Sequence, residues 1–257
     1  MRLGLSILAA ICAARTTSAA ASVIPDCAGT VEIAQASVSR VERSGALILP
    51  DGRAVVLEGL RLPQGAADHA PKFLADQALA ALRALALAAP ITFATTPPNE
   101  DRYGRTRAQG FGAGWLQQAL LERGLARVAI APDRSECAPD FYEMEMAARK
   151  AGRGLWAWPI YRVRRAGAVT KGDAGSFQIV EGKVANVGTG NGGVLLDFSE
   201  GRGFTAAIAA EDRKAFLDFD LQSLIGHTIR LRGTVEIFGG QPQIALSNPA
   251  QIELLEP

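Results

Sequence analysis

The stretch GALILPDGRAVVL, residues 45–57, contains two short apolar runs separated by a Pro-Asp-Gly-Arg turn. Asp-Gly between apolar runs is a strong β-hairpin signal, because glycine tolerates the positive φ that a tight turn requires. Residues 45–49 and 54–57 are therefore predicted to be two antiparallel strands. The preceding run from Val31 to Val41 has the same strand-like composition, so the folded part of the chain is predicted to begin with a small sheet.

Helical periodicity appears after the hairpin. Pro71 opens a helix that is predicted to run to Ala88, because apolar residues recur at spacings of three and four. Two further helices are predicted over residues 115–123 and 140–150, with short strands between the first two helices. The first half of the chain is thus predicted to be mainly β with three helices packed on the strands, an α+β arrangement.

The pattern changes after residue 160. Residues 161–175 are basic and then rich in glycine and polar residues, which indicates a linker. From Phe177 onward the pattern predicts five short strands and one short helix over residues 211–219, which favours a small Greek-key barrel of the OB type. We therefore predict a first domain over residues 28–160, a linker over 161–175 and a second β-barrel over 176–257.

Residues 1–21 have the features of an export signal. A short basic start is followed by an apolar run from Leu3 to Ala14 and then by small residues up to Ala21. This order is typical of a secretory signal peptide, and the run is shorter than the roughly 20 residues that a membrane-spanning helix needs. We predict that the protein is exported to the periplasm or secreted. A buried N-terminal helix is the alternative interpretation.

The cysteine and histidine counts limit the metal chemistry. Three cysteines and two histidines in the whole chain exclude a zinc ribbon and a histidine-rich metal site. Removal of the signal peptide leaves Cys27 and Cys137. Because an exported protein folds in an oxidising compartment, where a pair of cysteines tends to join, we predict a Cys27–Cys137 disulfide. Two separate buried thiols are the alternative.

Three motifs follow one another along the chain: DRYGR at residues 101–105, LLERGLARV at 120–128 and EMAARKAGRGLW at 145–156. Together with the hairpin stretch, they resemble the staphylococcal nuclease-like (thermonuclease) family over about residues 30–157. The resemblance implies a five-stranded OB-fold barrel that carries three helices. This expectation agrees with the strands and helices that the periodicity predicts.

The C-terminal part also resembles a known arrangement. The stretches FQIVEGKV at residues 177–184, IRLRG at 229–233 and NPAQIE at 248–253 are similar to a second small barrel. Such a barrel accompanies the nuclease-like domain in some exported bacterial members of the family. The resemblance therefore implies two barrels in one chain.

The resemblance implies calcium-dependent cleavage of phosphodiesters. In the family two aspartates hold the ion, a glutamate helps to activate water and two arginines neutralise the transition state. Calcium prefers carboxylate oxygens, and developing negative charge needs fixed cations. The present chain departs from this pattern, because the two aspartate positions fall on Gly45 and Arg61, the first arginine on Val56 and the glutamate on Gln64. Arg105, the second arginine, is retained with its motif.

These departures argue against the family's mechanism. Loss of a single transition-state contributor often costs about 10²–10³-fold in rate, and here four positions are replaced. The paired tyrosines that pack on the nucleotide in the family fall on Ile130 and Pro132. We therefore expect no cofactor and no metal ligands, with calcium only if the site has been rebuilt, and whether the protein is an enzyme stays uncertain.

Four residues near the old site are candidates for anion binding: Arg61, Arg102, Tyr103 and Arg105. Arg105 also has a structural interpretation, in which it ties Asp101 to the turn. Glu58 shares strand parity with Val56, which would place a carboxylate in the same groove, but a solvated charge on the face of a strand is the preferred interpretation. A rebuilt phosphodiesterase site would combine Glu58 with Arg61 and Arg105.

The preferred hypothesis is an exported, catalytically degenerate nuclease homologue that binds nucleic acid, a nucleotide or an envelope partner. Two alternatives stay open: an active phosphodiesterase or nuclease with a rebuilt site around Arg105, and a purely structural or interaction protein. The formal net charge of +1 gives no global support for tight nonspecific binding to nucleic acid. No membrane span is expected, because only residues 3–14 form a long apolar run, and that run is too short.

Overall fold

The computed structural model of the protein describes residues 23–190, 192–199 and 203–255, so the predicted signal peptide lies outside the described residues. The described residues form three α-helices and fifteen strands, joined by loops and short 3-10 turns. The α+β class predicted from the sequence is confirmed.

The first half of the described chain contains eight strands and the three helices. Their bounds are β1 (Thr30–Ala36), β2 (Arg40–Val41), β3 (Leu47–Ile48), β4 (Ala54–Leu57), β5 (Leu60–Arg61), α1 (Lys72–Ala86), β6 (Ile91–Thr95), β7 (Thr106–Phe111), α2 (Leu116–Glu122), β8 (Arg127–Val128) and α3 (Ala138–Lys150).

Six of these strands form one sheet in the order β1-β6-β7-β4-β3-β2. Strands β1 and β2 lie at the two edges of this sheet and follow each other in the chain, so together they count as one interrupted strand. The sheet therefore closes into a five-stranded barrel. The predicted hairpin is β3–β4, with Leu47 opposite Val55 and the turn glycine Gly52 at φ +88°. Strands β4 and β7 pair in parallel, whereas the other neighbours in this sheet are antiparallel.

The helices pack on the barrel through the apolar faces that the periodicity predicts. Helix α1 buries Leu74, Ala78, Leu82 and Ala86, which recur every fourth residue. The predicted disulfide is also present, because Cys27 and Cys137 are joined with Cα atoms 5.0 Å apart. It fastens the segment before β1 to the N-terminus of α3.

The second half of the described chain is built from strands and 3-10 turns. The strands are β9 (Arg164–Arg165), β10 (Phe177–Gly190), β11 (Gly193–Phe198), β12 (Thr205–Ile208), β13 (Thr228–Phe238), β14 (Gln241–Ala245) and β15 (Ile252–Leu254). The predicted helix over residues 211–219 is instead a 3-10 turn over Arg213–Phe216.

The second sheet closes because β13 pairs with both β10 and β14. The closed cycle is β10-β11-β12-β14-β13, with β12 and β14 in parallel. The order of strands is the same as in the first barrel. There β4 and β7, the third and fifth strands when β1 and β2 are counted as one, also pair in parallel. The prediction of a second OB-like barrel therefore agrees with the observed topology.

Residues 161–175, whose composition predicts a linker, are packed on the second barrel. Strand β9 pairs in parallel with β10, and Ala166 and Val169 are buried in the barrel core. Arg164 forms an ion pair with Asp173 at 2.7 Å. The segment thus connects the two barrels without leaving a free tether between them.

A buried ionic cluster joins the barrels. Arg232 of β13 and Glu145 of α3 form an ion pair at 2.8 Å, and both side chains are 1% exposed. The pKa of Arg232 is raised: burial works against its charge, but Glu145, Tyr142 and Glu253 outweigh that effect. Around this pair, the backbone N–H of Val128 donates to Glu145 at 2.7 Å. A charge buried so deeply depends on its partner.

A second contact between the barrels lies beside the first. Arg127 of β8 donates to the carbonyl oxygen of Phe177, the first residue of β10, and forms an ion pair with Asp68 at 3.0 Å. The guanidinium also lies over the rings of Tyr161 and Phe177. An apolar cluster spans the same interface and contains Leu74, Ala148, Leu155, Trp156, Tyr161 and Ile179. The two barrels therefore share one buried interface.

A membrane-spanning helix is not found in the described part of the chain, since none of its helices is sufficiently long and apolar.

The Glu145→Gln variant is expected to lower the free energy of unfolding by about 1.5–3 kcal/mol, because it removes the fully buried countercharge of Arg232 and leaves that guanidinium with the more exposed Glu253 alone. Asp76→Asn, which breaks the exposed Lys72–Asp76 pair, serves as the control and is expected to cost about 0–1 kcal/mol. Urea unfolding followed by circular dichroism measures both. Equal losses in the two variants would contradict the importance of the buried pair.

Replacing both Cys27 and Cys137 by alanine is expected to lower the free energy of unfolding by about 4–5 kcal/mol on the loop-entropy account. The reason is that the disulfide joins residues 110 positions apart and so restricts the unfolded chain. Urea unfolding of the double variant and of wild type with and without dithiothreitol measures the effect. A variant as stable as the oxidised wild type would contradict it.

Candidate functional site

A groove of about 890 Å³ lies between α1 and the first barrel. The loop before β3, strands β4 and β5, the loop after β5 and one side of α1 form its walls. Five positions at which the family places functional residues line it together: Gly45, Val56, Arg61, Gln64 and Arg105. The structure therefore brings the positions singled out from the motifs into one surface.

The position of the first family aspartate is filled by apolar packing. Gly45 has φ +89°, and a Cβ placed there would lie 2.8 Å from Cδ1 of Leu62. A side chain at this position would therefore have to displace Leu62 and would be strained in its backbone. The local structure has closed around a glycine, so an acidic side chain does not fit here without rearrangement.

Arg61 lies where the family has its second aspartate. Its side chain is 23% exposed, and Nη2 donates to Oε1 of Gln64 at 3.1 Å. The guanidinium carbon is 5.4 Å from the ring centre of Phe177 of the second barrel, and Nη2 lies 3.8 Å from Oδ1 of Asp68. Arg61 is therefore a half-buried cation held by groups from both barrels.

Arg105 is anchored to its own turn. Its Nε donates to Oδ2 of Asp101 at 2.7 Å, and Nη2 lies 2.6 Å from the same oxygen. Burial opposes ionisation of Asp101, but hydrogen bonds from Arg105 and from the backbone of Arg105 and Tyr103 hold the pKa of Asp101 below its usual value. Arg105 thus has the structural role that the sequence offered as an alternative, and it also lines the groove.

The other two candidate anion-binding residues lie elsewhere on this turn. Arg102 and Tyr103 are exposed and are not part of the groove lining. Their side chains stack, since the Arg102 guanidinium carbon lies 4.8 Å from the ring centre of Tyr103. The structure therefore brings Arg61 and Arg105 into the groove, but it does not place Arg102 and Tyr103 there.

Glu58 does not line the groove, contrary to the strand-parity argument. Strand β4 ends at Leu57 and the chain turns at Gly59 (φ +79°), so alternation of side chains no longer applies at residue 58. The Glu58 carboxylate is buried 3.5 Å from Arg134 and 3.7 Å from Arg107. Burial raises the pKa of Glu58, although the two arginines offset part of that effect.

Sequence reasoning missed three cations of the groove. Arg43 lies in the loop before β3, and Lys72 and Arg83 lie on α1. Lys72 is followed on the groove side of the helix by Ala75, Asp76, Leu79, Leu82 and Arg83, which lie at helical spacings. That spacing is the signal that could have placed Lys72 and Arg83 on one face of the helix.

Comparison with known proteins now identifies the first domain. Residues 54–158 match the family model described as staphylococcal nuclease homologue. The chain contains a staphylococcal nuclease homologue domain. The matched segment begins at β4 and includes Val56, Arg61, Gln64 and Arg105, whereas Gly45 precedes it. No curated protein sequence gives a significant match to the chain.

Residues in the groove of the nuclease homologue domain do not fit the calcium ion that the family implies. Calcium takes six to eight oxygen ligands, several of them carboxylate. Among the lining residues, all of which belong to the described part of the chain, Asp76 is the sole carboxylate, and it lies 2.7 Å from Nζ of Lys72. Arg61 adds a fixed positive charge at one of the two ligand positions.

A metal site elsewhere is not indicated either. Within the described ranges, one group of metal-ligating side chains lies close together, namely Cys27, Cys137 and Asp140. The two sulfur atoms of that group are bonded to each other and are not free to bind an ion.

The Asp101→Asn variant is expected to lower Tm at pH 7 by about 2–4 °C, as for a loss of ~1 kcal/mol in a chain of this size. Because the folded-state pKa of Asp101 lies below its usual value of 3.8, its contribution is present above that value and is lost as the pH falls through the folded-state pKa. The Tm difference between variant and wild type should therefore shrink near pH 3. A difference of the same size at both pH values would contradict the assignment.

Proposed function

We propose that the groove of the nuclease homologue domain binds a phosphate-bearing ligand without hydrolysing it. The observation that carries this proposal is the charge of the lining, with five cations against one carboxylate. The cations are Arg43, Arg61, Lys72, Arg83 and Arg105. Guanidinium groups match the geometry of phosphate oxygens and can bind them with two parallel hydrogen bonds.

The arrangement of the five cations suits an anion of moderate size. Arg61 and Arg105 are half-buried, so their interaction with an anion is less screened by water than that of a surface charge. Arg43, Lys72 and Arg83 are exposed, so they can attract an incoming anion from solvent. Arg61 and Arg105 would bind the anion while they keep their contacts with Asp68 and Asp101.

Among its described lining residues, the groove lacks the carboxylates that hydrolysis in this family requires, namely the water-activating glutamate and the two calcium ligands. The position of the water-activating glutamate holds Gln64, whose amide is not a proton acceptor of useful basicity. Its Oε1 atom instead accepts a hydrogen bond from Arg61. Both aspartate positions are also replaced. We therefore propose that the groove binds a phosphate-bearing ligand and does not cleave it.

Three classes of ligand carry the required anionic group: nucleic acid, nucleotides and anionic components of the cell envelope. Membership of the nuclease family suggests nucleic acid as the first to be tested. The proposal places the protein outside the cytoplasm, after removal of residues 1–21. The Cys27–Cys137 disulfide supports this location, because such bonds persist in oxidising compartments.

Binding is tested with a fluorescein-labelled oligo(dT) of eight nucleotides, followed by fluorescence anisotropy at several salt concentrations. The triple variant Arg43→Gln, Lys72→Gln, Arg83→Gln is expected to bind at least tenfold more weakly and to lower the salt slope by about 2. The control is Arg53→Gln, Arg123→Gln, Lys214→Gln, which removes three exposed cations outside the groove. Equal losses in both variants would contradict a specific role for the groove.

Cleavage is tested on single- and double-stranded DNA and RNA, with calcium, magnesium or EDTA, for wild type and Arg105→Ala. We expect no metal-dependent cleavage by either protein. Cleavage that is abolished both by EDTA and by Arg105→Ala would overturn the proposal and show a rebuilt phosphodiesterase. Absence of both binding and cleavage would favour a structural or interaction role for the two barrels.

A further inference from the structure

The groove has an apolar floor beneath its cations. Aliphatic side chains from β4, from β5 and the loop that follows it, and from α1 line this floor: Val56, Leu57, Leu60, Leu62, Leu79 and Leu82. All except Leu82 are only partly buried, so they keep surface that a ligand can cover. The removal of such apolar surface from water is favourable, roughly in proportion to the area covered.

Val56 is the clearest member of the floor. It occupies the position where the family has its first arginine, and its side chain lines the groove. Its neighbours Leu57 and Leu60 pack against the barrel core, whereas Val56 is not part of that apolar cluster. The site has therefore exchanged a charge for an aliphatic surface at the place where a ligand would lie.

The lining offers no aromatic ring on which a nucleobase can stack. None of the lining residues, all within the described chain, is aromatic. The family's tyrosine positions hold Ile130 and Pro132, which are not aromatic. Stacking on aromatic rings contributes about 1–3 kcal/mol per base in proteins that bind single strands, and this groove lacks that contribution.

Taking the proposed function as its basis, we infer that the groove's preferred ligand is an amphiphilic anion, a monomeric organophosphate with one unbranched hydrocarbon chain. Its phosphate would lie among the arginines and its chain along the aliphatic floor. The groove volume of about 890 Å³ falls in the range of small-molecule sites, which are largely apolar with a few fixed polar groups.

Chain length provides the test. Monoalkyl phosphates from ethyl to decyl, each below its critical micelle concentration, are titrated into the mature protein by isothermal calorimetry. Thymidine 3′,5′-bisphosphate serves as a ligand with phosphates and a base but no chain. Affinity is expected to rise about two- to fourfold per added methylene group, because each buried methylene adds a similar increment. Decyl phosphate should bind at least tenfold more tightly than the bisphosphate.

Two variants separate the floor from the cations. Val56→Thr keeps the shape of the side chain and its preference for a strand, but places a hydroxyl against the chain. It is expected to weaken decyl phosphate binding about fivefold and to leave ethyl phosphate within twofold. Val31→Thr is the control, because Val31 is 51% exposed on β1 outside the groove. Arg83→Gln should weaken all chain lengths by a similar factor.

The outcomes distinguish this inference from the proposed function. Binding that is independent of chain length but weakened by Arg83→Gln would overturn the amphiphile and leave the anion groove in place. No binding of any phosphate would overturn both. Vesicles containing an anionic phospholipid form a further arm. Binding to vesicles without binding of monomeric decyl phosphate would also overturn the inference, since it would indicate attraction to a charged surface.

Discussion

The buried ion pair between Glu145 and Arg232 holds the two barrels against each other. It joins α3 of the first barrel to β13 of the second, and neither charge is accessible to water. The same Glu145 carboxylate accepts a hydrogen bond from Val128 in β8. Strand β8 pairs with β5, where Arg127 lies opposite Arg61. The buried carboxylate of Glu145 thus contacts both the second barrel and the β5–β8 strand pair. Arg61, which lines the groove, belongs to that strand pair.

The groove combines the positions of the family motif with side chains of different chemistry. Its walls are made by the barrel, the loop after β5 and α1, and Arg105 lies at one side. Leu62 packs against Gly45, Arg61 is a cation supported by Phe177, and Val56 presents an aliphatic surface. Together these residues form a cationic, partly apolar cleft.

Much of the fold could be predicted from local signals. The Asp-Gly turn marks the β3–β4 hairpin, apolar spacing marks α1, and the two cysteines that follow the predicted signal peptide indicate the disulfide. The interface could not be predicted in this way, because Arg232 and Glu145 are 87 positions apart, and the motifs in which they lie do not indicate that the two side chains pair. Long-range ion pairs are set by the packing of whole elements, which periodicity does not describe.

The sequence predicted which motif positions lie together, but it did not predict the orientation of the Glu58 side chain. Motif alignment placed Gly45, Val56, Arg61, Gln64 and Arg105 in one groove, as the structure shows. Strand parity gave a wrong orientation for Glu58, because parity holds only while a strand continues and β4 ends one residue earlier. Lys72 and Arg83 were not predicted because they belong to no motif. They become candidates only when the packing of α1 on the barrel shows that they line the groove.

The two barrels have the same order of strands, but they differ in the connection between the third and fourth strands. These are β4 and β6 in the first barrel and β12 and β13 in the second. In the first barrel that connection, residues 58–90, contains β5 and α1 and supplies most of the groove. In the second barrel the corresponding residues 209–227, all of them described, contain two 3-10 turns and no α-helix. The two sheets therefore have the same strand order, and the groove is formed mainly by the segment that connects the third and fourth strands of the first barrel. Such a segment can diverge in sequence and length while the hydrogen bonding of the barrel beneath it stays the same.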